Sequence, residues 1–368
     1  MKKLAILSLI ISGLFSTLAA QSGRKLEPAP TPSPSVDESS YSDSTPVKTR
    51  KIPALQNNKT SQNQPVDPSA DISSEDAIKI ETNLITIPVS VFDRYGLYVP
   101  SLEQRDFKVF EDGTEQEIAY FATSENPFTV VLLLDTSLST AYKIEEIQDA
   151  AIAFVNQLKP QDKVLVIEFD GNAHILAELT SDRNKITEGI RKADFGSGTS
   201  LYGTVALTFR KYLNKIEGRK AIVLFTDGVD TTSGKSTYES TVGDAEEGDA
   251  IIFPIYYNTF LENRRLLDRG VIRPKGTSRL DYAEGKKYIE DLAEVTGGRV
   301  FEAEAGARGL TRTFTSIADE LRRQYSIGYY PKETASVGQR KQIKVRVLKP
   351  NLVVRARDSY VVGASAKP

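Results

Sequence analysis

The sequence predicts an α/β fold: a doubly wound, mostly parallel, Rossmann-like sheet inserted in, or flanked by, a small β-sandwich. Three observations predict it. Between about residues 127 and 324, near-continuous apolar runs of strand length alternate with apolar stripes at helical spacing, the pattern of strands covered on both faces by crossover helices. On either side, short segments alternate apolar and polar residues between turn signals, which is the pattern of half-buried antiparallel strands. The length of 368 residues suits two domains plus extensions, at roughly 100–200 residues per domain.

The elements follow in chain order. Lys2 and Lys3 precede an apolar run from Leu4 to Leu18, and Ala19-Ala20 follow. This is the plan of a secretory signal peptide over 1–20, and the run is too short for a comfortable membrane span. An uncleaved anchor is the alternative; no later segment has the apolar length to cross a bilayer. The expected locations are therefore periplasmic, secreted or cell-surface. Residues 21–77 are rich in Pro, Ser, Gln, Asn and Asp, too poor in apolar surface to offset the entropy of ordering, and are expected to form a disordered tether.

Residues 78–126 open with the alternation Ile85, Ile87, Val89, Val91, then a turn at Asp93-Arg94-Tyr95-Gly96 and another at Glu111-Asp112-Gly113. These strands are too few for a complete sandwich. Residues 325–362 can supply the rest: Tyr325, Ile327 and Tyr329 alternate, as do Ile343, Val345 and Val347, then Leu352, Val354 and Ala356. One sandwich built from both ends, with 127–324 inserted, is the expectation; two separate β units are the alternative. Residues 363–368 form a tail.

Within 127–324, strands are expected at Val130–Leu134, Val164–Phe169, Ala221–Phe225, Ile251–Tyr257 and Val300–Phe301. Helical stripes run through Ile144, Ile147, Ala151, Phe154 and Leu158, and through Leu310, Phe314, Ile317 and Leu321. Open sheets of this kind bind ligands at the carboxyl ends of their strands, so chemistry is sought there.

Composition narrows the chemistry. The formal net charge is −2, so the molecule as a whole is no counterion for nucleic acid. There is no cysteine, which excludes disulfides, thiolate metal sites, a cysteine nucleophile and a lipid anchor on cysteine. The single histidine, His174, has no acid or nucleophile beside it in sequence and is read as structural or exposed. Gly196-Ser197-Gly198 lacks the following lysine of a phosphate loop.

The first strand ends in Leu134-Asp135-Thr136-Ser137-Leu138-Ser139. One carboxylate and two hydroxyls at alternate positions can be aimed at one point by a turn. Oxygen-only ligands suit a hard cation such as Mg²⁺. Serines are neutral, so a cation held this way stays electrophilic enough to draw an outside carboxylate. Thr199, in Gly198-Thr199-Ser200 before a helix, offers another oxygen, and Asp227 ends a second buried strand in Phe225-Thr226-Asp227-Gly228. A strand-terminal aspartate alone can simply cap a helix. Asp230 and Thr231 follow closely and could shape the rim of such a site, but a polar loop is the better reading for them.

Asp135, Ser137 and Ser139 resemble the Asp-x-Ser-x-Ser motif of von Willebrand factor A domains. Thr199 and Asp227 are similar to that family's second-loop threonine and to the aspartate ending its fourth strand. The resemblance implies a metal-ion-dependent adhesion site. In it Ser137, Ser139 and Thr199 would ligate Mg²⁺, Mn²⁺ or Ca²⁺ directly, while Asp135 and Asp227 act through water or orient the serines. It also implies a protein partner presenting a Glu or Asp carboxylate. The flanking runs Asp106–Gly113 and Gln324–Pro331 look like those of bacterial "VWFA-related" proteins. Two features depart from the pattern: Leu138 stands where many members carry glycine, and the Arg- and Asp-rich segment from about 261 to 282 is long for a connection.

The leading expectation is a binding protein, not an enzyme. A haloacid-dehalogenase-like phosphatase would need a second aspartate two residues after the first, where Ser137 stands. A serine hydrolase would need a Gly-x-Ser-x-Gly elbow. An envelope scaffold with a structural or vestigial metal site is the remaining alternative.

Overall fold

The structure, a computed structural model, describes residues 41–44, 84–123, 127–137, 144–259, 278–303 and 307–363. All of them lie in one compact unit, Glu38–Pro368. The expected signal peptide, the C-terminal tail from 364, Leu138, Ser139 and most of the Arg- and Asp-rich segment (260–277) lie outside the described residues.

The strands of the inserted region are β6 Phe128–Asp135, β7 Lys163–Phe169, β8 Ala173–Thr180, β9 Arg219–Thr226, β10 Ala250–Tyr256 and β11 Phe301–Glu302. They form a six-stranded sheet of order β11-β10-β9-β6-β7-β8. All neighbours run parallel except β8, which is antiparallel to β7 at the edge. Every residue of β6 is buried, and its side chains alternate between two cores. Val130, Leu132 and Leu134 face a cluster built with α1 Ile144–Gln157 and α6 Ala307–Arg322, which contributes Ile147, Phe154, Phe314 and Ile317. Val131 and Leu133 face the other layer, with α3 Leu201–Leu207, α4 Tyr238–Glu247 and α5 Arg279–Thr296, where Val205, Val242 and Tyr288 pack. A strand buried on both faces must be apolar throughout, and each fully buried Val, Leu or Ile contributes about 1.5–3 kcal/mol. The fold class is thus the one expected. The edge strand β8 carried no clear period: its exposure pattern is irregular, and pairing with β7 decides its form.

Helix ends follow local chemistry. Asp182 caps α2 Arg183–Ile190 by accepting from Asn184 N and Lys185 N. Ser278 and Asp281 form a capping box at α5, and Gly297, at φ 77°, ends it. Among the described residues no helix is long and apolar enough to cross a membrane.

Strands from the two ends of the chain pair with each other. Here β2 is Ile85–Asp93, β3 Phe107–Glu111, β4 Thr114–Gln116 and β5 Ile118–Thr123; β12 is Tyr325–Tyr329, β13 Arg340–Val347, β14 Leu352–Arg355 and β15 Ser359–Val361. One sheet has the order β14-β2-β12-β5, and the other joins β13 to β3 and β4, with β15 on β13. Between the sheets lie Ile87, Val89, Val109, Tyr325, Ile327, Val345 and Val354. The chain leaves on β5 and returns on β12 beside it, with Thr123 opposite Tyr325.

One stretch of the expected tether departs from that expectation. Ser42–Asp43 forms strand β1, antiparallel to β13. Composition describes the average of a segment, and these residues are ordered by partners far along the chain. The rest of 21–77 lies outside the described residues.

The sandwich and the inserted region are fastened together by Arg357, 8% exposed. Its guanidinium donates to Ser359 O at 2.8 Å, to Gly248 O at 3.0 Å and to Glu246 O. The last two are carbonyls at the C-terminus of α4, where the helix dipole favours a cation.

Candidate functional site

The order of the sheet fixes where a site forms. From β6 the chain crosses to β7 on one side, and β9 is laid against β6 on the other. The crevice at this reversal opens beyond the carboxyl ends of β6 and β9. Asp135 is the last residue of β6, and Asp227 follows the last residue of β9. Asp135 is 0% exposed and Asp227 2%.

Each carboxylate is held by hydroxyl and amide donors. Asp135 Oδ2 accepts from Thr226 Oγ1 at 2.6 Å, and its Oδ1 from Ser137 N at 3.1 Å. Asp227 Oδ1 accepts from Val229 N at 3.1 Å, and its Oδ2 from Thr259 Oγ1 at 2.8 Å. Thr259 in turn lies 2.8 Å from the Tyr282 hydroxyl. Burial, and after it the negative charge of Asp227, push the Asp135 carboxyl up to about 7, against the pull of the Thr226 and Ser137 hydrogen bonds.

The loops are tied to one another around these acids. Ser137 bridges Gly196, whose N–H donates to Thr136 O at 3.0 Å. Ser200 N donates to Asp170 O at 2.6 Å and Gly171 N to Ser197 O at 3.0 Å. Thr199 N donates to Thr231 Oγ1 at 2.8 Å, while Thr231 N and Thr232 N donate to Thr199 O at 2.8 and 3.1 Å. Two glycines make this closeness sterically feasible. A Cβ on Gly196 would lie 1.7 Å from Asp170 Oδ2, and Gly228, at φ +83°, would place one 2.5 Å from Gly285 O.

The structure thus brings Asp135, Ser137, Thr199 and Asp227 to one edge, all buried. Ser139 lies outside the described residues. His174 sits apart on β8, its ring 3.5 Å from Asp170 Oδ1 and its side chain 54% exposed. Three participants were not singled out from sequence: Thr226, Thr259 and Tyr282. Thr226 carried a faint signal as a hydroxyl ending a buried strand. Thr259 and Tyr282 carried none, being 32 and 55 residues beyond Asp227 in the sequence. Thr231, read as loop, holds the Thr199 backbone instead of merely facing solvent.

The donor set tests what the edge can hold. Among the described residues, no three His, Cys, Asp or Glu side chains group as a metal cluster. A cation here would need hydroxyl oxygens, and Ser137 and Thr199 stand beside two buried acids whose repulsion a cation relieves. The residues present fit a hard divalent ion.

A family model of the von Willebrand factor type A domain matches residues 130–229, a span that holds all five sequence-predicted site positions. No curated protein matches the chain. Solved structures similar to it include an aerotolerance-related membrane protein of Bacteroides fragilis NCTC 9343, with multiple mutations to serines. It is 16% identical, with 53% of this chain and 98% of that one covered and a TM-score of 0.40. The vWF domain of the type V pili tip protein Mfa5 of Porphyromonas gingivalis is 14% identical, covering 52% and 94%, with a TM-score of 0.41. A von Willebrand factor type A protein of Catenulispora acidiphila is 12% identical, covering 70% and 74%, with a TM-score of 0.43. With its sheet order, its strand-end acids and the matched span, the inserted α/β region of this chain is a von Willebrand factor type A domain.

Proposed function

We propose that the chain is an exported, non-enzymatic binding protein. Its A-type domain holds a divalent cation, Mg²⁺ or else Mn²⁺ or Ca²⁺, through Asp135, Ser137, Ser139, Thr199 and Asp227. The cation takes a Glu or Asp carboxylate of a protein partner, in adhesion or in complex assembly. The observation that carries this reading is the buried pair Asp135 and Asp227 beside Ser137 and Thr199, with Asp135 pushed up to about 7 by burial and by Asp227.

When bound, the cation supplies an electrophilic coordination position for an outside carboxylate. The chain's own residues do the rest. Thr226 and Thr259 orient the two acids by hydrogen bonds of 2.6 and 2.8 Å. Ser137 and Thr199 contribute neutral oxygens, which leave the cation's charge less quenched than carboxylates would. The bonds between Thr199 and Thr231–Thr232 keep this second loop against the Asp227 loop without using the Thr199 hydroxyl. Export rests on the Lys2-Lys3 start, the apolar run to Leu18 and the small residues after it; it is checked by the N-terminal sequence of the mature protein.

Titrating Mg²⁺ and Mn²⁺ calorimetrically into metal-stripped protein tests the site, beside a Ser137→Ala, Ser139→Ala variant. Saturable binding by the wild type and none by the variant is expected. No saturable binding by the wild type, even at high metal concentration, would move the scaffold reading ahead. A phosphatase is disfavoured by Ser137, which occupies the position where that chemistry needs a carboxylic acid.

A further inference from the structure

A single exposed apolar side chain ordinarily means little. Phe195 differs in where it stands and in how its backbone is held. It is 51% exposed, on the loop between α2 and α3, one residue before Gly196, which bridges Ser137. The backbone on both sides of it is tied. Ala193 O accepts from Gln148 Nε2 at 2.9 Å, and Asp194 N donates to Glu168 Oε2 at 3.1 Å. Phe195 N donates to Asp194 Oδ1 at 2.8 Å, and Gly196 N to Thr136 O at 3.0 Å. A ring left in water on so fixed a backbone is preorganised for contact. It has two torsions to order, so a partner that covers it gives up little entropy.

The sheet sets its reach. Gly196 faces Ser137 at a strand spacing of about 4.8 Å, and Phe195 is one residue, about 3.8 Å, further along. Two residues of an extended peptide span about 7 Å. A side chain one or two residues from a carboxylate seated at the Asp135–Asp227 edge therefore falls on the Phe195 ring. Charge limits which side chain is accepted. Glu168 and Asp194 flank the ring, and the Asp170 carboxylate lies against Gly196, where a Cβ would come within 1.7 Å of its Oδ2. A second acidic side chain would be repelled here. The three carboxylates already accept hydrogen bonds, from Asp194 N, Phe195 N and Asn172 N. What this rim leaves uncovered is the apolar ring.

We propose that Phe195 determines specificity at the metal edge: it selects partners whose acidic residue has an apolar side chain one or two positions away, and it disfavours runs of acids. This rests on the metal-bound carboxylate proposed above, and the test separates the two.

The probes are blocked pentapeptides with a central Glu, acetyl-Gly-X-Glu-X-Gly-amide, in which X is Leu, Ser, Lys or Glu, and the Leu peptide with Gln in place of Glu. They are titrated with the full chain, held in excess over Mn²⁺, and binding is read from paramagnetic broadening of the peptide protons. Wild type should bind the Leu peptide at least about fivefold more tightly than the Ser peptide, and the peptide of three acids most weakly. In Phe195→Ser the Leu preference should vanish, and in Phe195→Leu most of it should remain. Equal binding of the Leu and Ser peptides by the wild type, or binding of neither, overturns the proposal. So does a Leu preference that survives in Phe195→Ser, or a Lys peptide preferred to the Leu peptide, which would assign recognition to the carboxylates. Calorimetry of Mn²⁺ on the same proteins checks the metal loop: weakened Mn²⁺ binding in Phe195→Ser would make Phe195 a prop of that loop and overturn its role as a contact. The metal reading fails separately, if the wild type takes up no Mn²⁺ or binds the Gln peptide as well as the Glu peptide; the selection by Phe195 then falls with it.

Discussion

Without the proposed cation, raising the pH should destabilise this protein, the reverse of the usual effect. In the metal-free chain, Asp135 is pushed up to about 7 from an ordinary value of 3.8. A carboxyl whose folded value is raised keeps a proton that the unfolded chain has lost. Between those two values the native state binds more protons, so stability falls as pH rises. At about 1.4 kcal/mol per pH unit, the loss between about pH 5 and pH 8 is about 3 kcal/mol. Asp43, Asp106 and Asp112 are lowered instead; their contribution fades only in acid, below this window. Glu168 and Asp358 are raised by burial and add a slope of the same sign, so Asp227→Asn serves as the internal control. It removes the neighbouring charge, lowers Asp135 and should flatten part of the slope. The assay is urea unfolding across this window, in chelator and in saturating Mg²⁺. A bound cation would keep both acids ionised, so with metal present the slope should shrink to the part left by Glu168 and Asp358. A metal-free protein whose stability is flat or rises over the window would mean that Asp135 is already ionised there, contrary to this prediction.

Three further outcomes are expected. Thr199→Val keeps the backbone bonds to Thr231 and Thr232 but loses the hydroxyl, so calorimetry should show metal affinity down by at least about tenfold with unfolding unchanged. Gly228→Ala forces a side chain to φ +83° and 2.5 Å from Gly285 O; denaturant melts should show about 2–5 kcal/mol of lost stability, with metal binding lost as the Asp227 turn shifts. Arg357→Met strips the α4 C-terminus of its donors and should cost about 3 kcal/mol or more, resolving the melt into separate sandwich and A-type transitions.

Much of this architecture was legible because burial on both faces leaves a strand no choice but to be apolar. That is why β6, β7, β9 and β10 stood out, and why Asp135 and Asp227, as the first acids after the apolar runs of β6 and β9, marked the site edge. The edge strand β8 was not legible, since one antiparallel neighbour, not its own pattern, orders Ala173–Thr180. Thr259 and Tyr282 were silent for a related reason: a hydroxyl that steadies Asp227 from a distant turn has no local signature. Strand β1 was hidden in the opposite way. Its environment in the sequence is polar and proline-rich, and its order comes from Lys344, Arg346 and the β13–β14 turn.

The way the chain enters and leaves the A-type domain has a mechanical consequence. β5 and β12 lie side by side, and β1 and β15 both pair with β13, through Val347 and Arg346 for one and Arg340 for the other. Tension applied between residue 42 and residue 361 is therefore carried by the sandwich, chiefly along β13. The A-type domain hangs outside that line of force as a side arm. Its strands run away from the junction, so the Asp135–Asp227 edge sits at the far end, about 25 Å out for an eight-residue strand. A pull on the chain itself would reach the A-type domain through the Arg357 clasp on α4, not through this edge. A pull on a partner gripped there would load the paired β5 and β12 together, two strands sharing what one would otherwise bear.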